Sequence, residues 1–141
     1  MLAQLLLLGL VSLLAVWFRG QYNSKLAVAT GVLLLAVGAA LALAGALALG
    51  RNLTPFPQSG EHARLVHHGI YARIRHPIYT SVMLAAVGWA LIWQSWLALL
   101  VASFLIPFFH AKARREERWL RWQFPEYANY EQRVRRFIPW P

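Results

Sequence analysis

Four long apolar runs occupy most of this 141-residue chain and constrain what it can fold into. They contain no Asp, Glu, Lys or Arg and cover residues 2–18, 26–49, 78–93 and 96–110. An α-helix needs about 20 apolar residues to cross a bilayer, where backbone groups must bond within the segment. The runs therefore predict an all-α, polytopic membrane bundle of about four transmembrane helices. We expect one domain, residues 1–141, with a polar loop at 51–76 and a partly helical tail at 111–141.

Composition narrows the class of protein. Hydrophobic residues make up 59% of the chain and charged residues only 13%, a balance too apolar for an ordinary soluble domain. The formal net charge is +9, but the basic residues flank the apolar runs instead of forming one soluble face. We therefore expect membrane lipids, and not nucleic acid, as their partners. Because the chain has no cysteine, a disulfide, a thiolate metal site and a cysteine nucleophile are all excluded.

The first two runs are expected to serve the fold and not the chemistry. Residues 2–18 could also be a signal peptide, but no Lys or Arg precedes them and no clear cleavage site follows, which favours a retained helix. In the second run Gly31, Gly38 and Gly45 recur every seven residues and share one helix face. Small residues let a neighbouring helix approach closely. This face could serve the bundle or a second copy of the chain, so the oligomeric state stays open.

The distribution of charge predicts the orientation of the spans. With four spans, the N-terminus, the loop at 51–76 and the tail at 111–141 share one side of the membrane. That side holds every Lys and Arg of the chain except Arg19 and Lys25. Because basic residues are enriched on the cytoplasmic side of membrane proteins, we expect the N-terminus, the loop and the tail to be cytoplasmic.

A first polar cluster lies just before the third run, from Gly69 to Tyr79. Charged and hydrogen-bonding groups at a bilayer edge are costly to bury without partners, so their presence indicates a site. The simpler alternative is a basic collar that contacts lipid headgroups. Three histidines precede the cluster, at positions 62, 67 and 68. They lack the further ligands of known metal sites, so no metal is expected.

A second polar cluster follows the fourth run and contains the adjacent carboxylates Glu116 and Glu117. Lys112 lies four residues before Glu116, so on a helix the two side chains lie on the same face and can face one pocket. An ordinary surface salt bridge is the alternative for this pair. Pro125 should end the helix, and residues 126–136 predict a short amphipathic helix.

The two clusters together resemble a known enzyme family. The first reads G-x-Y-x-x-x-R-H-P-x-Y, and the second reads E-E-x-x-L-x-x-x-F and is followed by Tyr127 and Tyr130. In this order, separated by a helical hairpin, they are similar to the isoprenylcysteine carboxyl methyltransferases and their relatives among the phospholipid methyltransferases. The resemblance extends from residue 52 to the C-terminus. It implies an integral-membrane methyltransferase that uses S-adenosylmethionine and takes a lipophilic acceptor from the bilayer.

The resemblance also implies roles for individual residues. The cofactor-binding positions of the family fall on Ala63, Arg64, Leu65, Val66, Tyr71, Arg75, His76, Pro77, Ile78, Tyr79 and Glu116. Lys112 stands where the carboxyl methyltransferases have an arginine that holds the substrate carboxylate. Lysine keeps the charge but loses the two-pronged geometry, which weakens the case for a carboxylate substrate. Lys112, Glu116 and Glu117 are the candidate catalytic residues.

Elementary chemistry agrees with these roles. Glu116 suits the ammonium of S-adenosylmethionine, and His76 or a basic neighbour suits its carboxylate. The ring of Tyr71 or Tyr79 could face the sulfonium. A carboxylate acceptor, such as a prenylated cysteine, needs no general base. A phospholipid amine does, and Glu117 or His76 would supply it. A non-catalytic membrane scaffold is the alternative from another class.

Overall fold

The computed structural model describes residues 2–50 and 65–138, and the all-α class is confirmed for this part of the chain. A 3₁₀ turn at Gly69–Ala72 precedes the third helix, and Gly69 has a φ of +60°, which favours glycine. The helices in chain order are α1 (Leu2–Trp17), α2 (Lys25–Leu49), α3 (Pro77–Ile92), α4 (Trp96–Ser103), α5 (Leu105–Gln123) and α6 (Tyr127–Arg133).

Two segments, and not four, have the length and hydropathy of a membrane span within the described residues. They are the 25-residue α2 and the 28-residue run from Trp96 to Gln123 that comprises α4 and α5. The apolar part of the second segment ends at residue 110, and its charged continuation forms the second polar cluster outside that apolar part. α1 and α3 are apolar but have 16 residues each, or about 24 Å of helix, against a hydrocarbon core of about 30 Å. The prediction of about four transmembrane helices is therefore confirmed only in part. Pro77 and a chain reversal at Gln94, whose φ is +54°, limit α3.

Glycines of α2 allow α3 to pack closely against it. Gly31, Gly38 and Gly45 are all buried. A Cβ atom on Gly31 would lie 2.6 Å from the carbonyl oxygen of Gly88, and one on Gly38 would lie 3.0 Å from the carbonyl oxygen of Ser81. The glycine face predicted for the second run is thus confirmed as a packing face, and its partner is α3 of the same chain.

The two inter-helix turns meet at one end of the bundle. The N–H groups of Gly20 and Gln21 donate to the carbonyl oxygens of Trp93 and Gln94, each at 3.0 Å. The Gln21 side chain also accepts a hydrogen bond from the N–H of Trp96 at 2.7 Å. Because α1 and α3 both run towards this end, their N-termini lie at the opposite end, where the polar clusters are.

A short break at Phe104 separates α4 from α5. Pro107 accounts for it, because proline has no N–H to donate to the carbonyl of Ser103 and its ring crowds that carbonyl. α5 then continues into the charged second cluster and ends at Gln123, before Pro125, as the sequence predicts. α6 ends at Arg133, earlier than the predicted 136, because the chain beyond it extends along the start of α3.

Candidate active site

The two polar clusters lie together at one end of the bundle. His76 immediately precedes α3, and its Nε2 lies 3.0 Å from Oε1 of Glu117 on α5. The Tyr79 hydroxyl donates to Oε2 of Glu116 at 2.7 Å. Pro77 is the first residue of α3, where its missing N–H costs nothing. This start places His76 and Tyr79 three residues apart on one side of the helix, from which both reach α5.

Glu117 is fully buried, with 0% of its surface exposed. It continues the buried stripe that Leu105, Phe109 and Ala113 form along α5. Arg136 from the tail holds its carboxylate with two hydrogen bonds, from Nε to Oε1 at 2.9 Å and from Nη2 to Oε2 at 2.5 Å. Paired contacts of this kind fix both the charge and the orientation of a carboxylate.

The charge on Glu117 is stabilised by its neighbours. Burial raises the pKa of Glu117, but the hydrogen bonds with His76 and Arg136 outweigh burial. The Arg75 guanidinium, with Nη1 at 3.4 Å from Oε1, adds to them, and the pKa falls to about 2. A carboxylate this weakly basic is a poor proton acceptor at neutral pH. Glu117, one of the two candidate bases, is thus the central carboxylate of an ion-pair cluster with Arg75, His76 and Arg136.

Glu116 has a different environment from its neighbour. Its side chain is 34% exposed, and its Oε2 lies 3.8 Å from Nδ1 of His76. Successive residues of a helix point about 100° apart, so Glu116 turns away from the buried stripe that holds Glu117. Within residues 2–50 and 65–138, the hydroxyl of Tyr79 is its only hydrogen-bond donor. Of the two adjacent carboxylates, Glu116 is therefore the one that an incoming ligand can reach.

An aromatic wall with one lysine stands beside Glu116. The Tyr79 ring stacks on His76, with centroids 5.1 Å apart, and on Phe109, with centroids 4.9 Å apart. Lys112 places its Nζ 4.8 Å from the Tyr79 centroid and donates to Oε1 of Gln4 at 2.8 Å. Lys112 and Glu116, one helical turn apart, thus both contact the Tyr79 side chain, and a pocket shared by the two stays a prediction. With these neighbours around the Tyr79 ring, a sulfonium would have to displace one of them to reach its face.

The C-terminal segment 134–138, here called the strap, runs across the start of α3. The N–H groups of Arg75 and His76 donate to the carbonyl oxygens of Arg135 at 2.9 Å and Arg136 at 3.0 Å. The sequence does not single out Arg136. Its only signal is a pair of adjacent arginines at the end of a predicted helix, and charged residues in such places are most often solvated.

One predicted cofactor residue, Tyr71, lies in the turn before α3. Tyr71 is buried, and its carbonyl oxygen accepts a hydrogen bond from the Tyr130 hydroxyl at 2.6 Å. This contact ties α6 to the turn before α3. Ala63 and Arg64 lie outside the described residues, as does His62.

Among the described residues, the remaining predicted positions make no hydrogen bond to the charged side chains of the site. Leu65 and Val66 are half-buried where the described chain resumes. Pro77 and Ile78 face α2, since a Cβ atom on Gly45 would lie 3.4 Å from Cγ of Pro77 and 3.0 Å from Cγ1 of Ile78. Their visible role is to seat the start of α3 on α2, which sets the position of the residues beside them.

The fold and this site define a membrane-associated helical protein with a cluster of carboxylates and cations at one end of its bundle. The chain matches the family model described as phospholipid methyltransferase over residues 26–127, more than half of its length. It belongs to the phospholipid methyltransferase family, as the resemblance of its two motifs suggests. Membership implies methyltransferase activity on lipid-like substrates. Among curated proteins, none matches the chain.

Proposed function

We propose that this protein transfers a methyl group from S-adenosylmethionine to a lipophilic acceptor in the membrane. Family membership supports the reaction class. The observation that carries the choice of cofactor is the reachable carboxylate of Glu116, held by Tyr79 at 2.7 Å beside a basic and aromatic wall. When bound, the cofactor supplies a methyl group activated by its sulfonium. The chain's own residues bind and orient it.

The charged groups of the site fit those of S-adenosylmethionine. Oε1 of Glu116 accepts no hydrogen bond from the described residues and suits an ammonium. His76 is less suited to the cofactor carboxylate than the sequence suggests, because it is only 6% exposed and its Nε2 is committed to Glu117. Lys112, which contacts Gln4 and the Tyr79 ring, is the alternative basic group for this carboxylate.

Two classes of acceptor are compatible with this arrangement. A carboxylate, such as that of a prenylated cysteine, would pair with Lys112 and react without a base. A phospholipid amine would pair its phosphate with Lys112 and would first have to lose a proton. The description of the matched family favours the amine. Since Glu117 is a weak base, His76 is then the better of the two predicted proton acceptors.

Calorimetric titration of S-adenosylhomocysteine into the detergent-purified protein tests the cofactor. We expect binding to the wild type and a loss of about 10-fold or more in Glu116→Gln, because a hydrogen bond to a charged group contributes about 1.5–3 kcal/mol. Glu126→Gln is the matched control, since Glu126 is an exposed carboxylate at the start of α6. A wild type that binds nothing, in detergent and in lipid nanodiscs, would refute the proposal and favour the scaffold alternative.

The bond that the methyl group forms identifies the acceptor class. Membranes containing the protein are incubated with S-adenosylmethionine labelled in its methyl group, and the labelled lipid is treated with mild alkali. A methyl ester of a carboxylate releases labelled methanol, whereas an N-methyl group stays on the lipid. Label retained through alkali supports the amine, and label released supports the carboxylate. Absence of label above a Glu116→Gln control would count against methyl transfer to either.

A further inference from the structure

The strap lies beyond the residues that match the family, which end at 127, yet it reaches into the centre of the site. We propose that Arg136 is a positioning residue that determines which ring nitrogen carries the proton in two histidines, His76 and His110. The inference concerns the site of the proposed methyltransferase. The positions of the two histidine protons do not depend on the proposed function, whereas any effect of Arg136 on turnover rests on it.

The strap is held at several points, so its side chains have defined positions. Besides the backbone hydrogen bonds to residues 75 and 76, the Thr80 hydroxyl donates to the carbonyl oxygen of Phe137 at 2.9 Å. The Phe137 ring lies 6.0 Å from the ring centroid of His76 and 5.4 Å from that of His110. Arg136, one residue earlier, contacts His110 directly and is connected to His76 through Glu117.

Arg136 uses three nitrogen atoms at once. Its Nε and Nη2 donate to the Glu117 carboxylate at 2.9 and 2.5 Å, and its Nη1 lies 3.0 Å from Nε2 of His110. A guanidinium can only donate hydrogen bonds. Nε2 of His110 must therefore be the acceptor in this contact, and the proton of the neutral ring lies on Nδ1.

The same reasoning gives the opposite pattern for His76. An ionised carboxylate can only accept, so the 3.0 Å contact between Nε2 of His76 and Oε1 of Glu117 requires a proton on Nε2. The neutral ring then leaves Nδ1 unprotonated. That atom lies 3.8 Å from Oε2 of Glu116, so a lone pair stands beside the reachable carboxylate.

A carboxylate behind a histidine is a known way to select its protonated nitrogen. Here the Arg136 guanidinium, with that of Arg75 beside it, stands behind the Glu117 carboxylate and keeps it ionised. The result is a pair of acceptors, Nδ1 of His76 and the Glu116 carboxylate, that suits a primary ammonium. Such an ammonium could belong to the cofactor or to the headgroup of an amine acceptor. In the second case Nδ1 could take one proton from the ammonium, which leaves a neutral amine and a protonated imidazole.

Nitrogen NMR of histidine-labelled protein in detergent micelles tests the assignment directly. Long-range proton–nitrogen correlations separate the two neutral forms, and His76→Gln and His110→Gln identify the signals. We expect the proton on Nε2 of His76 and on Nδ1 of His110. In Arg136→Gln both histidines should show averaged signals of exchanging forms, because His110 loses its donor and Glu117 loses two hydrogen bonds.

Arg135→Gln is the matched control, because Arg135 belongs to the same strap, its side chain is exposed and its backbone contact is retained. It should leave both histidine patterns unchanged. If Arg136→Gln does not fold, as judged by circular dichroism, Arg136→Lys replaces it and should show a partial change. A wild-type His76 with its proton on Nδ1, or unchanged patterns in the Arg136 variant, would overturn the inference.

Two further titrations separate the proposals and assign the source of the ammonium. S-adenosylhomocysteine that shifts the Nδ1 signal of His76 points to the cofactor ammonium, whereas vesicles of phosphatidylethanolamine that shift it point to the acceptor. If neither ligand shifts the Nδ1 signal of His76, the proposed pair of acceptors is refuted. A wild type that binds no S-adenosylhomocysteine would defeat the proposed cofactor alone, because the positions of the histidine protons are measured without ligand.

Discussion

The two adjacent glutamates of α5 lie in different environments. Glu117 is fully buried and bonded by His76 and Arg136, whereas the Glu116 side chain is 34% exposed and bonded by Tyr79. The difference follows from helix geometry, since neighbouring residues diverge by about 100° and only one can lie on the buried stripe. Substitutions at these two positions should therefore have separable effects.

Replacing Glu117 by glutamine should destabilise the fold. The change leaves the Arg136 and Arg75 guanidiniums beside a neutral amide in a buried place, and breaking a buried ion pair costs about 3–5 kcal/mol. We expect a clear fall in the midpoint of thermal unfolding, followed by circular dichroism in detergent. Glu116→Gln should change that midpoint little while it weakens ligand binding. Equal midpoints for the two variants would contradict the assignment.

Acid should remove the contribution of Glu117 to stability. Its pKa is about 2 in the folded protein against an ordinary 4.5, so the unfolded chain binds the proton more tightly. The stabilisation is fully present above about pH 5 and is lost as the pH falls through about 4 towards 2. Glu131 acts in the same direction, because its hydrogen bonds with Arg121 lower its pKa.

The difference in unfolding midpoint between the wild type and Glu117→Gln should thus shrink steadily as the pH is lowered over this range. The Glu131 contribution is common to both proteins and cancels in that comparison. If the difference in unfolding midpoint is independent of pH between 6 and 3, the neighbours of Glu117 do not lower its pKa in the folded protein.

Sequence reasoning reached some of these residues and missed others for physical reasons. The paired motifs and the i,i+4 spacing bring His76, Lys112 and Glu116 together. The burial of Glu117 could have been predicted from the sequence, because it lies four residues after Ala113 on an apolar stripe. The role of Arg136 had none, since it depends on how the chain reverses after Pro125 and returns to α3.

Among the helices, the contact between α2 and α3 is the one that the sequence describes best. The seven-residue glycine spacing predicts a packing face, and the structure adds that Gly88 of α3 provides a matching gap. The bounds of α1 and α3 agree with the predicted apolar runs to within one residue. The turn after α3 was harder to predict, because a turn residue such as Gln94 acquires its positive φ from the contacts of the whole turn.

A methyl group at Gly31 should separate α2 from α3. In Gly31→Ala the new Cβ would lie 2.6 Å from the carbonyl oxygen of Gly88, and overpacking of this kind costs about 1–3 kcal/mol. We expect a lower unfolding midpoint in detergent. Gly9→Ala is the control, because a Cβ there has no contact within 4 Å among the described atoms and alanine favours the helix. A midpoint that falls as much in Gly9→Ala would argue against a specific packing effect.

At the scale of the whole molecule, the bundle has two chemically distinct ends. One end contains the turns at residues 18–24 and 93–95, and the other contains the site, the strap and the charged half of α5. The two polar clusters share an end, as the sequence predicts. Since most Lys and Arg residues belong to that end, the positive-inside bias would place it in the cytoplasm.

The absence of cysteine from the chain allows this orientation to be measured one position at a time. Single cysteines at Asn23, in the first turn, and at Arg133, at the end of α6, are both at exposed positions. A membrane-impermeant maleimide added to intact cells should label Asn23→Cys and leave Arg133→Cys unlabelled, and permeabilised cells should show both labelled. The reverse pattern would place the site outside the cytoplasm, away from an intracellular supply of the cofactor. Labelling of both positions in intact cells would mean that α1 to α4 do not cross the membrane as a bundle, because the two ends of a spanning bundle cannot face the same compartment.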